Sequence, residues 1–355
     1  LKFTGADYVT INNLNISSVG SGIPVWTVLY SNNSNNNTIN QSKILGDTTG
    51  LVASIGLLYG NDANCFSCVN TSLTGSNNTL SNSVINGHLY STVLNGSTTD
   101  YIANNQFLNN TFSNFGSYGV FLNIRAENTT IKGNSFTRPT RNDGILVYPL
   151  FLQGTSPVNN YSRGVNIEGN YFHNLSSPTN VSTIVTSVIS INAPSIGANK
   201  NRIVNNLISN IRLTGSLTGI WLRSADNAEV YHNTVVFDDT DIITSSSVST
   251  KGILVDIAPL VPSQLNDIFI KNNIVVITRG GNGPKIGLEY GNTNVHSDYN
   301  VVNVDAPNGI GDQYFGTIGV LSKSTLKDWQ NQFGKDFHSF DLSPDFEDTN
   351  AGNYK

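Results

Sequence analysis

Five side chains of the kinds that bind sugars are spread over the middle and second half of the chain: Tyr148, Trp221, Arg223, Asp256 and Glu289. Aromatic rings pack against the apolar faces of sugar rings, and guanidinium and carboxylate groups bind hydroxyl or carboxylate groups. Each of the five lies two or four positions after a glycine that begins a short apolar segment. Because alternate residues of a strand share a face, we expect all five to point outward, where they could contact the rings, hydroxyl groups or carboxylates of a sugar chain.

Catalysis by the same group is the main alternative. A glycoside hydrolase uses two carboxyl groups about 5 to 10 Å apart, and neighbouring strands could bring Asp256 and Glu289 to that distance. No column of acidic residues runs convincingly through consecutive segments, so no catalytic residue is assigned. Phe121, Leu146 and Leu254 fall at positions equivalent to Trp221 and Glu289, and their apolar character favours a surface that a loop partly covers.

Metal and anion sites have little support in the sequence. The segment Asp238-Asp-Thr-Asp241 could attract Ca²⁺, but it directly follows an apolar segment and a solvated loop is favoured. We therefore expect no cofactor. Lys200, Arg202 and Arg212 could form a positive spot for an acidic glycan, although scattered surface charge explains them equally well.

One short pattern recurs along the chain and must position these residues: apolar, any, any, Asn, any, apolar. Its asparagines are Asn105, Asn134, Asn170, Asn206, Asn233 and Asn273. The apolar residues around them suit short strands that need burial on one side only. If the copies stack in parallel, each amide can donate to one neighbour and accept from the next. We therefore expect these asparagines to form a ladder at a bend.

Looser copies of the pattern begin at Ile11, Ile39, Leu80 and Val295, which brings the total to about ten. The distances between copies vary, as expected for a coil whose walls are constant while the connections differ in length. The sequence therefore predicts an all-β parallel solenoid of about ten turns.

These repeats resemble those of the right-handed parallel β-helix proteins in the pectin-lyase-like superfamily, over roughly residues 1 to 305. The resemblance implies a right-handed parallel β-helix with sugar chains lying along one outer face. The superfamily includes polysaccharide lyases, glycoside hydrolases, epimerases, phage tailspikes and bacterial surface adhesins, so the resemblance alone chooses no activity.

A second set of strands begins with Gly119, Gly144, Gly219, Gly252 and Gly287. Alternation predicts two outward columns, with Phe121, Leu146, Trp221, Leu254 and Glu289 in one and Asn123, Tyr148, Arg223 and Asp256 in the other. The longest connections, around 137–162, 173–200 and 237–251, should lie beside this face and either line a groove or cover it.

The repeat ends at about Gly311, so we expect a β-helix over residues 1–311 and a C-terminal cap over 312–355. Within the cap, Ser324 to Gly334 predicts a short helix with Ser324 as N-cap and Gly334 just past its end. An open solenoid end needs covering, and Trp329, Phe333, Phe337 and Phe346 are expected to pack there.

The composition limits the function classes. Of 355 residues only 12% are charged, the net charge is −5, and Asn, Ser, Thr and Gly are abundant, which is typical of extracellular β structure and unlike a nucleic-acid binder. No membrane span or signal peptide is evident, and the chain has no Met, so we expect a segment of a longer or processed protein. Cys65 and Cys68 lack the further ligands of a zinc site, which favours a small disulfide or free thiols.

Asn-x-Ser/Thr triplets are frequent in the first half of the chain, as at Asn36, Asn77 and Asn128, but an Asn-rich composition produces many of them by chance. Taken together, the sequence predicts a secreted or cell-surface protein that binds a glycan or another surface partner without catalysis. A polysaccharide lyase or glycoside hydrolase is the second hypothesis, and a purely structural spacer is the third.

Overall fold

The computed structural model describes residues 1–18, 25–47, 54–60, 74–97, 99–141, 146–153, 161–176, 185–192, 199–242, 246–256, 266–292 and 294–346. Cys65 and Cys68, and the central parts of the long connections around 137–162, 173–200 and 237–251, lie outside these residues.

The chain winds into a right-handed parallel β-helix with three long sheets, which confirms the predicted fold class. Sheet A contains Lys2–Thr4, Val25–Ser31, Ser54–Tyr59, Tyr90–Asn95, Tyr118–Ile124, Tyr148–Gln153, Val185–Asn192, Ser216–Arg223, Thr250–Asp256, Lys285–Tyr290, Gln313–Ile318 and Leu321–Lys323. Sheet B contains Thr10–Asn12, Thr38–Asn40, Thr79–Ser81, Gln106–Leu108, Thr130–Lys132, Asn166–Glu168, Asn201–Val204, Ala228–Tyr231, Ile268–Lys271 and His296–Asp298.

Sheet C contains Asn15–Ser17, Lys43–Leu45, Val84–Asn86, Thr111–Ser113, Ser135–Arg138, Tyr171–Ser176, Leu207–Ile208, Thr234–Phe237, Ile274–Ile277 and Val301–Val304. Ile211–Arg212 also pairs with the end of Tyr171–Ser176, and Ile102–Ala103 pairs with Ala126–Glu127 in a short sheet of its own. Strands on successive turns pair in parallel, and the final strand Leu321–Lys323 turns back to pair antiparallel with Gln313–Ile318.

The core lies between the three sheets and is built by stacking like on like. The central apolar residues of sheet B follow one another in register: Ile39, Leu80, Phe107, Ile131, Ile167, Ile203, Val230 and Ile270. In sheet C the rings of Phe112, Phe136 and Phe172 stack with centroid distances of 4.9 and 4.6 Å. Each fully buried side chain of this size stabilises the fold by about 1.5–3 kcal/mol.

A ladder of polar side chains runs along the bend between sheets B and C. Its members are Ser42, Ser83, Asn110, Asn134, Asn170, Asn206, Asn233, Asn273, Asn300 and Ser339. The backbone N–H of each member donates to the side-chain oxygen of the next, at 2.8–3.0 Å. Asn134, Asn170, Asn206, Asn233 and Asn273 therefore lie in one file, as expected.

Asn105 was expected in this ladder and belongs to another. It accepts from the backbone N–H of Asn78 at 3.0 Å, and Asn78 accepts from Asn37 at 2.9 Å, so these three form a shorter ladder at the bend between sheets A and B. Asn110 occupies the place predicted for Asn105, because Phe107 and not Ile102 pairs with Ile131.

Both bends use the same backbone conformation, which explains the error. The residue before each ladder position is left-handed, as at Asn104 (φ 57°), Asn109 (φ 55°) and Gly133 (φ 67°). Glycine and asparagine adopt this conformation at the least cost, so both bends select the same residue types.

The glycines of sheet A mark a bend in each strand. A Cβ added at Gly219 would lie 2.6 Å from a methyl group of Val235 in sheet C, so the inward position has no room for a side chain. The inward and outward assignments after Gly119, Gly219, Gly252 and Gly287 hold for the first column, where Phe121, Trp221, Leu254 and Glu289 occupy equivalent places.

The assignment after Gly144 is wrong. The strand begins at Tyr148, and Pro149 takes the place that Gly119 has on the preceding turn. Phe151 therefore occupies the column position predicted for Leu146, which is 45% exposed and precedes the strand. Tyr148 pairs with Tyr118 and does not share a column with Arg223 and Asp256.

The C-terminal end closes with the helix Leu326–Phe333. Thr325, not Ser324, is the N-cap and accepts from the backbone N–H of Asp328, whereas Gly334 ends the helix at φ 63° as predicted. Trp329 is fully buried. The last strand that pairs in parallel, Gln313–Ile318, lies just past the expected boundary at residue 311.

Phe333 also packs in the cap, with its ring centroid 5.0 Å from that of Trp329, whereas Phe337 and Phe346 do not pack there. Phe333 packs against the core, Phe337 is 65% exposed, and Phe346 lies against Val236 and Val276 on the side of the coil. Asp336 links the cap to the ladder. Its buried carboxylate accepts hydrogen bonds from Trp329 Nε1 and from the side-chain amide of Asn300, which is the last asparagine of the ladder.

Candidate carbohydrate-binding face

The outer face of sheet A brings the predicted site residues together. Strand register places Trp221 beside Leu254 and Leu254 beside Glu289 on three successive turns, and places Arg223 beside Asp256. Leu254 is buried, whereas Trp221, Arg223, Asp256 and Glu289 are half-buried. We call the surface formed by these residues together with Tyr148 and Lys251 the sheet A site.

Trp221 is held at the centre of the sheet A site by polar contacts on both sides. Its indole Nε1 donates to Asp256 Oδ1 at 2.9 Å, and the Arg223 guanidinium lies 5.3 Å from the ring centroid. An indole fixed in this way loses little side-chain freedom when a ligand packs against it.

Lys251 is part of the site, and the sequence analysis missed it. Its ammonium lies 2.8 Å from Glu289 Oε2, with the two side chains 20% and 25% exposed. Lys251 comes directly before Gly252, and the bend at this glycine turns both the preceding residue and the second following residue outward. The sequence signal for such a residue is a polar or aromatic residue directly followed by a glycine and then by an alternating apolar segment. This signal would have identified Lys251.

The two carboxylates of the site differ in environment. Burial raises the pKa of Asp256, while the indole hydrogen bond, Arg223 and Lys251 act to lower it and Glu289 raises it further. Glu289 is compensated by its ion pair with Lys251. Asp256 and Glu289 lie diagonally across adjacent strands, where Cβ atoms are about 7–8 Å apart.

Arg223 is the cation of this surface with unused binding capacity. Within the described ranges, no carboxylate lies within 4.0 Å of its guanidinium, and its buried Nε has no hydrogen-bond partner. The nearby Asn192, on the preceding strand of sheet A, likewise has a buried Oδ1 without a partner. An unsatisfied buried donor costs about 1–3 kcal/mol.

A row of tyrosines adjoins the site along the axis. Tyr90, Tyr118 and Tyr148 stack with centroid distances of 5.4 and 5.6 Å, and Tyr118 and Phe151 are 5.6 Å apart. Burial, with smaller contributions from Tyr148 and Tyr90, raises the pKa of Tyr118 to about 12. Because the ring faces are occupied by one another, a ligand would meet ring edges and neutral hydroxyl groups.

Tyr90 and Tyr118 were not predicted as site residues. Tyr118 directly precedes Gly119, as Lys251 precedes Gly252, so the same signal would have indicated Tyr118. Tyr90 is followed by Ser91 and does not carry this signal. Burial raises the pKa of Tyr148, and the charge of Arg223 lowers it.

The amino-terminal part of this outer face is covered. Leu29, Leu58, Val93 and Phe121 point away from the core but are at most 3% exposed. The expectation that part of the column is packed over therefore holds for these turns. The accessible part of the face begins with the half-buried tyrosine row and continues through Trp221 to Glu289.

The remaining charged residues considered in the sequence do not join this site. Lys200 and Arg202 share Glu229 on sheet B, at 2.9 and 3.1 Å. Arg212 lies near sheet C, 3.7 Å from Asp239. Among the described residues, no group of three or more His, Cys, Asp or Glu side chains is arranged to hold a metal ion.

The fold and the site define a right-handed parallel β-helix with an aromatic and charged outer face. No family model, curated protein or solved structure matches this chain. No helix in the described ranges has the length and hydrophobicity needed to cross a bilayer.

Proposed function

We propose that this protein is a secreted or cell-surface β-helix of the pectin-lyase-like type that binds an acidic glycan without catalysis. The glycan would lie along the outer face of sheet A, with a sugar ring against Trp221 and a carboxylate on Arg223. The observation that carries the proposal is the Arg223 guanidinium, which forms no ion pair with a carboxylate of the described residues and lies beside an indole that is already held in place.

The arrangement favours a carboxylate-bearing ligand over a neutral one. Lys251 is neutralised by Glu289, and Asp256 accepts from Trp221, so Arg223 carries the charge that a ligand could balance. A guanidinium binds a carboxylate through two parallel hydrogen bonds, which gives geometric selectivity. The low overall charge and the Asn-, Ser- and Thr-rich composition support an extracellular location.

Binding of polygalacturonate, alginate and a neutral dextran by isothermal titration calorimetry tests this proposal. We expect binding of at least one uronate polymer and not of dextran, with a loss of about tenfold or more in Arg223→Gln and in Trp221→Ala. Lys132→Gln is the matched control, because Lys132 pairs with Glu168 on sheet B and its loss changes the charge equally. Equal losses in Arg223→Gln and Lys132→Gln would reject the site, and no binding by the wild type would favour the spacer hypothesis.

A glycoside hydrolase is the second candidate, and one observation favours it. Burial raises the pKa of Asp256, as expected for a general acid, while Glu289 forms an ion pair with Lys251. Release of reducing ends from a polymer that binds, abolished in Asp256→Asn with binding retained, would replace the non-catalytic proposal. Release of an unsaturated uronate product that Arg223→Ala abolishes would instead indicate a lyase.

A further inference from the structure

A second cavity lies on the sheet C side of the coil, away from the sheet A site. It has a volume of about 190 Å³ and is lined by Pro139, Asn174, Leu175, Ser176, Asn210 and Arg212. A space of this size is smaller than a pocket for a drug-sized ligand and suits a single sugar unit.

The cavity is built by a local change in the coil. At Asn174 and Asn210 the chain adopts the left-handed conformation, with φ 50° and 52°. After each of these residues it forms an additional short parallel pair, in which Leu175 faces Ile211 and Ser176 faces Arg212. Both asparagines and Arg212 line the cavity.

A directional chain of hydrogen bonds orients the amides. Arg212 can only donate, so its Nε fixes Asn210 Oδ1 as the acceptor at 3.1 Å. Asn210 Nδ2 then donates to Asn174 Oδ1, and Asn174 Nδ2 donates to His173 Nδ1 at 2.8 Å. Among the described residues, each amide has a second N–H without a hydrogen-bond partner, which could donate to a ligand.

The same chain excludes a nucleophilic role for the adjacent serine. His173 Nε2 lies 2.9 Å from Ser135 Oγ, and burial lowers the pKa of His173, which resembles a serine–histidine pair. Because His173 Nδ1 accepts from Asn174, its single proton is on Nε2 and is donated to Ser135. The histidine therefore cannot accept the serine proton, and the cluster positions groups for binding.

Arg212 lines the cavity and lies close to Asp239, and their contact leaves hydrogen-bonding capacity on both side chains. The distance of 3.7 Å from Arg212 Nη1 to Asp239 Oδ1 exceeds a hydrogen bond, and the Arg212 side chain is 65% exposed. A ligand hydroxyl that approaches this pair from the side could accept from the guanidinium and donate to the carboxylate. A carboxylate or sulfate ligand could accept from Arg212 but would be repelled by Asp239.

We propose that this cavity binds one neutral sugar unit, held by Arg212, Asp239 and the amides of Asn174 and Asn210, with Pro139 against the apolar side of the ring. The hydroxyl groups of a sugar supply both the acceptors that the amides need and a donor for Asp239. The site is separate from the sheet A site and does not depend on the function proposed for it.

Saturation-transfer NMR and calorimetric titration with glucose, galactose, mannose and N-acetylglucosamine, with glucuronate as the anionic arm, test the proposal. We expect at least one neutral sugar to bind with a dissociation constant on the order of millimolar, as befits so small a ligand. Arg212→Gln should weaken this binding about tenfold, since a hydrogen bond from a charged group is lost.

Two variants serve as controls. Arg202→Gln removes an equal charge from sheet B, and Trp221→Ala disables the sheet A site; both should leave the binding of the neutral sugar unchanged. The proposal is overturned if none of the four neutral sugars binds, if glucuronate alone binds, if Arg212→Gln binds like the wild type, or if either control variant loses binding.

Discussion

Asn206 sits in the middle of the ladder between sheets B and C, and its replacement tests how much the ladder stabilises the fold. Its Oδ1 accepts from the backbone N–H and the side-chain amide of Asn170, at 3.0 and 2.9 Å. Its Nδ2 donates to Ile167 O and to Asn233 Oδ1, both at 2.9 Å. The side chain is 1% exposed, so water cannot replace these partners without rearrangement.

The cost of Asn206→Ala can be worked from these contacts. The Asn170 amide still reaches Ile131 O, but the Asn170 backbone N–H is left buried without an acceptor, which costs about 1–3 kcal/mol. The bonds lost at Ile167 and Asn233 add about 0.5–1.5 kcal/mol each. We therefore expect the free energy of unfolding to fall by about 3–5 kcal/mol.

The chain contains its own precedent for a milder replacement. Ser42 accepts from the backbone N–H of Leu14 at 3.1 Å, and Ser83 accepts from that of Ser42 at 3.0 Å, so a serine hydroxyl can occupy a ladder position. Asn206→Ser should keep an acceptor for the Asn170 N–H and cost about 1–2 kcal/mol.

Urea unfolding followed by circular dichroism, together with hydrogen exchange at the Asn170 amide, measures both effects. The control is Asn331→Ala in the exposed part of the C-terminal helix, which should change stability by less than about 0.5 kcal/mol. The reasoning fails if Asn206→Ala is no less stable than Asn206→Ser, or if the Asn170 amide exchanges at the wild-type rate in both.

Two further predictions concern buried ionisable groups. His88 is fully buried, and burial together with the charge of Arg141 lowers its pKa to about 4. Since the folded pKa lies below the unfolded value of about 6.5, the stabilisation is present above pH 6.5 and is lost as the pH falls towards 4, amounting to about 3 kcal/mol. Unfolding at pH 7.5 and 4.5 should show a larger loss for the wild type than for His88→Gln, and equal losses would contradict the assignment. Asp336→Asn replaces one of two acceptor oxygens, so the Trp329 indole loses its partner at 2.9 Å and the cap should be destabilised by about 2 kcal/mol. Thermolysin should then cleave the C-terminal region faster in Asp336→Asn than in the exposed control Asp341→Asn, and identical rates would remove Asp336 from this role.

The sequence predicted the coil because its spacing rules are local. In each copy of the repeat, the ladder residue follows an apolar residue at a fixed distance, with two residues between them. Most ladder residues could therefore be identified from residue types alone. The register of single copies was less secure. The copy at Ile102 was placed one bend too early, because Asn105 suits a ladder position but Asn110 occupies it. The copy at Val295 was placed two residues too early, because Asp298 suits the position but Asn300 occupies it.

The sheet A site was predicted in part for a similar reason. Trp221, Leu254 and Glu289 each lie two residues after a glycine, and the bend at that glycine determines which following residues point outward. In the strand that begins with Tyr148, Pro149 takes the place of this glycine, so the sequence pattern did not locate the bend. Lys251 and Tyr118 lie on the other side of the bend, where simple alternation assigns the wrong face. The pairing of Arg212 with Asp239 depends on contacts between turns, which the sequence does not encode locally.

The left-handed bends also bear on how sugar attachment should be judged for this protein. Asn36 and Asn77 each precede a ladder position that is followed by a strand beginning with Thr, so the bend itself generates an Asn-x-Thr triplet. Asn128 has the same left-handed conformation and precedes Thr129 and the strand Thr130–Lys132. Asn104 has the same conformation on the turn between Asn77 and Asn128, and only Gln106 removes the triplet there. Asn36 and Asn77 lie on adjacent turns, about 4.8 Å apart along the axis, so branched oligosaccharides on both would collide. The Asn-x-Thr triplets at these positions therefore follow from the backbone conformation of the bend. An oligosaccharide attached at one bend would block attachment at the equivalent bend of the next turn.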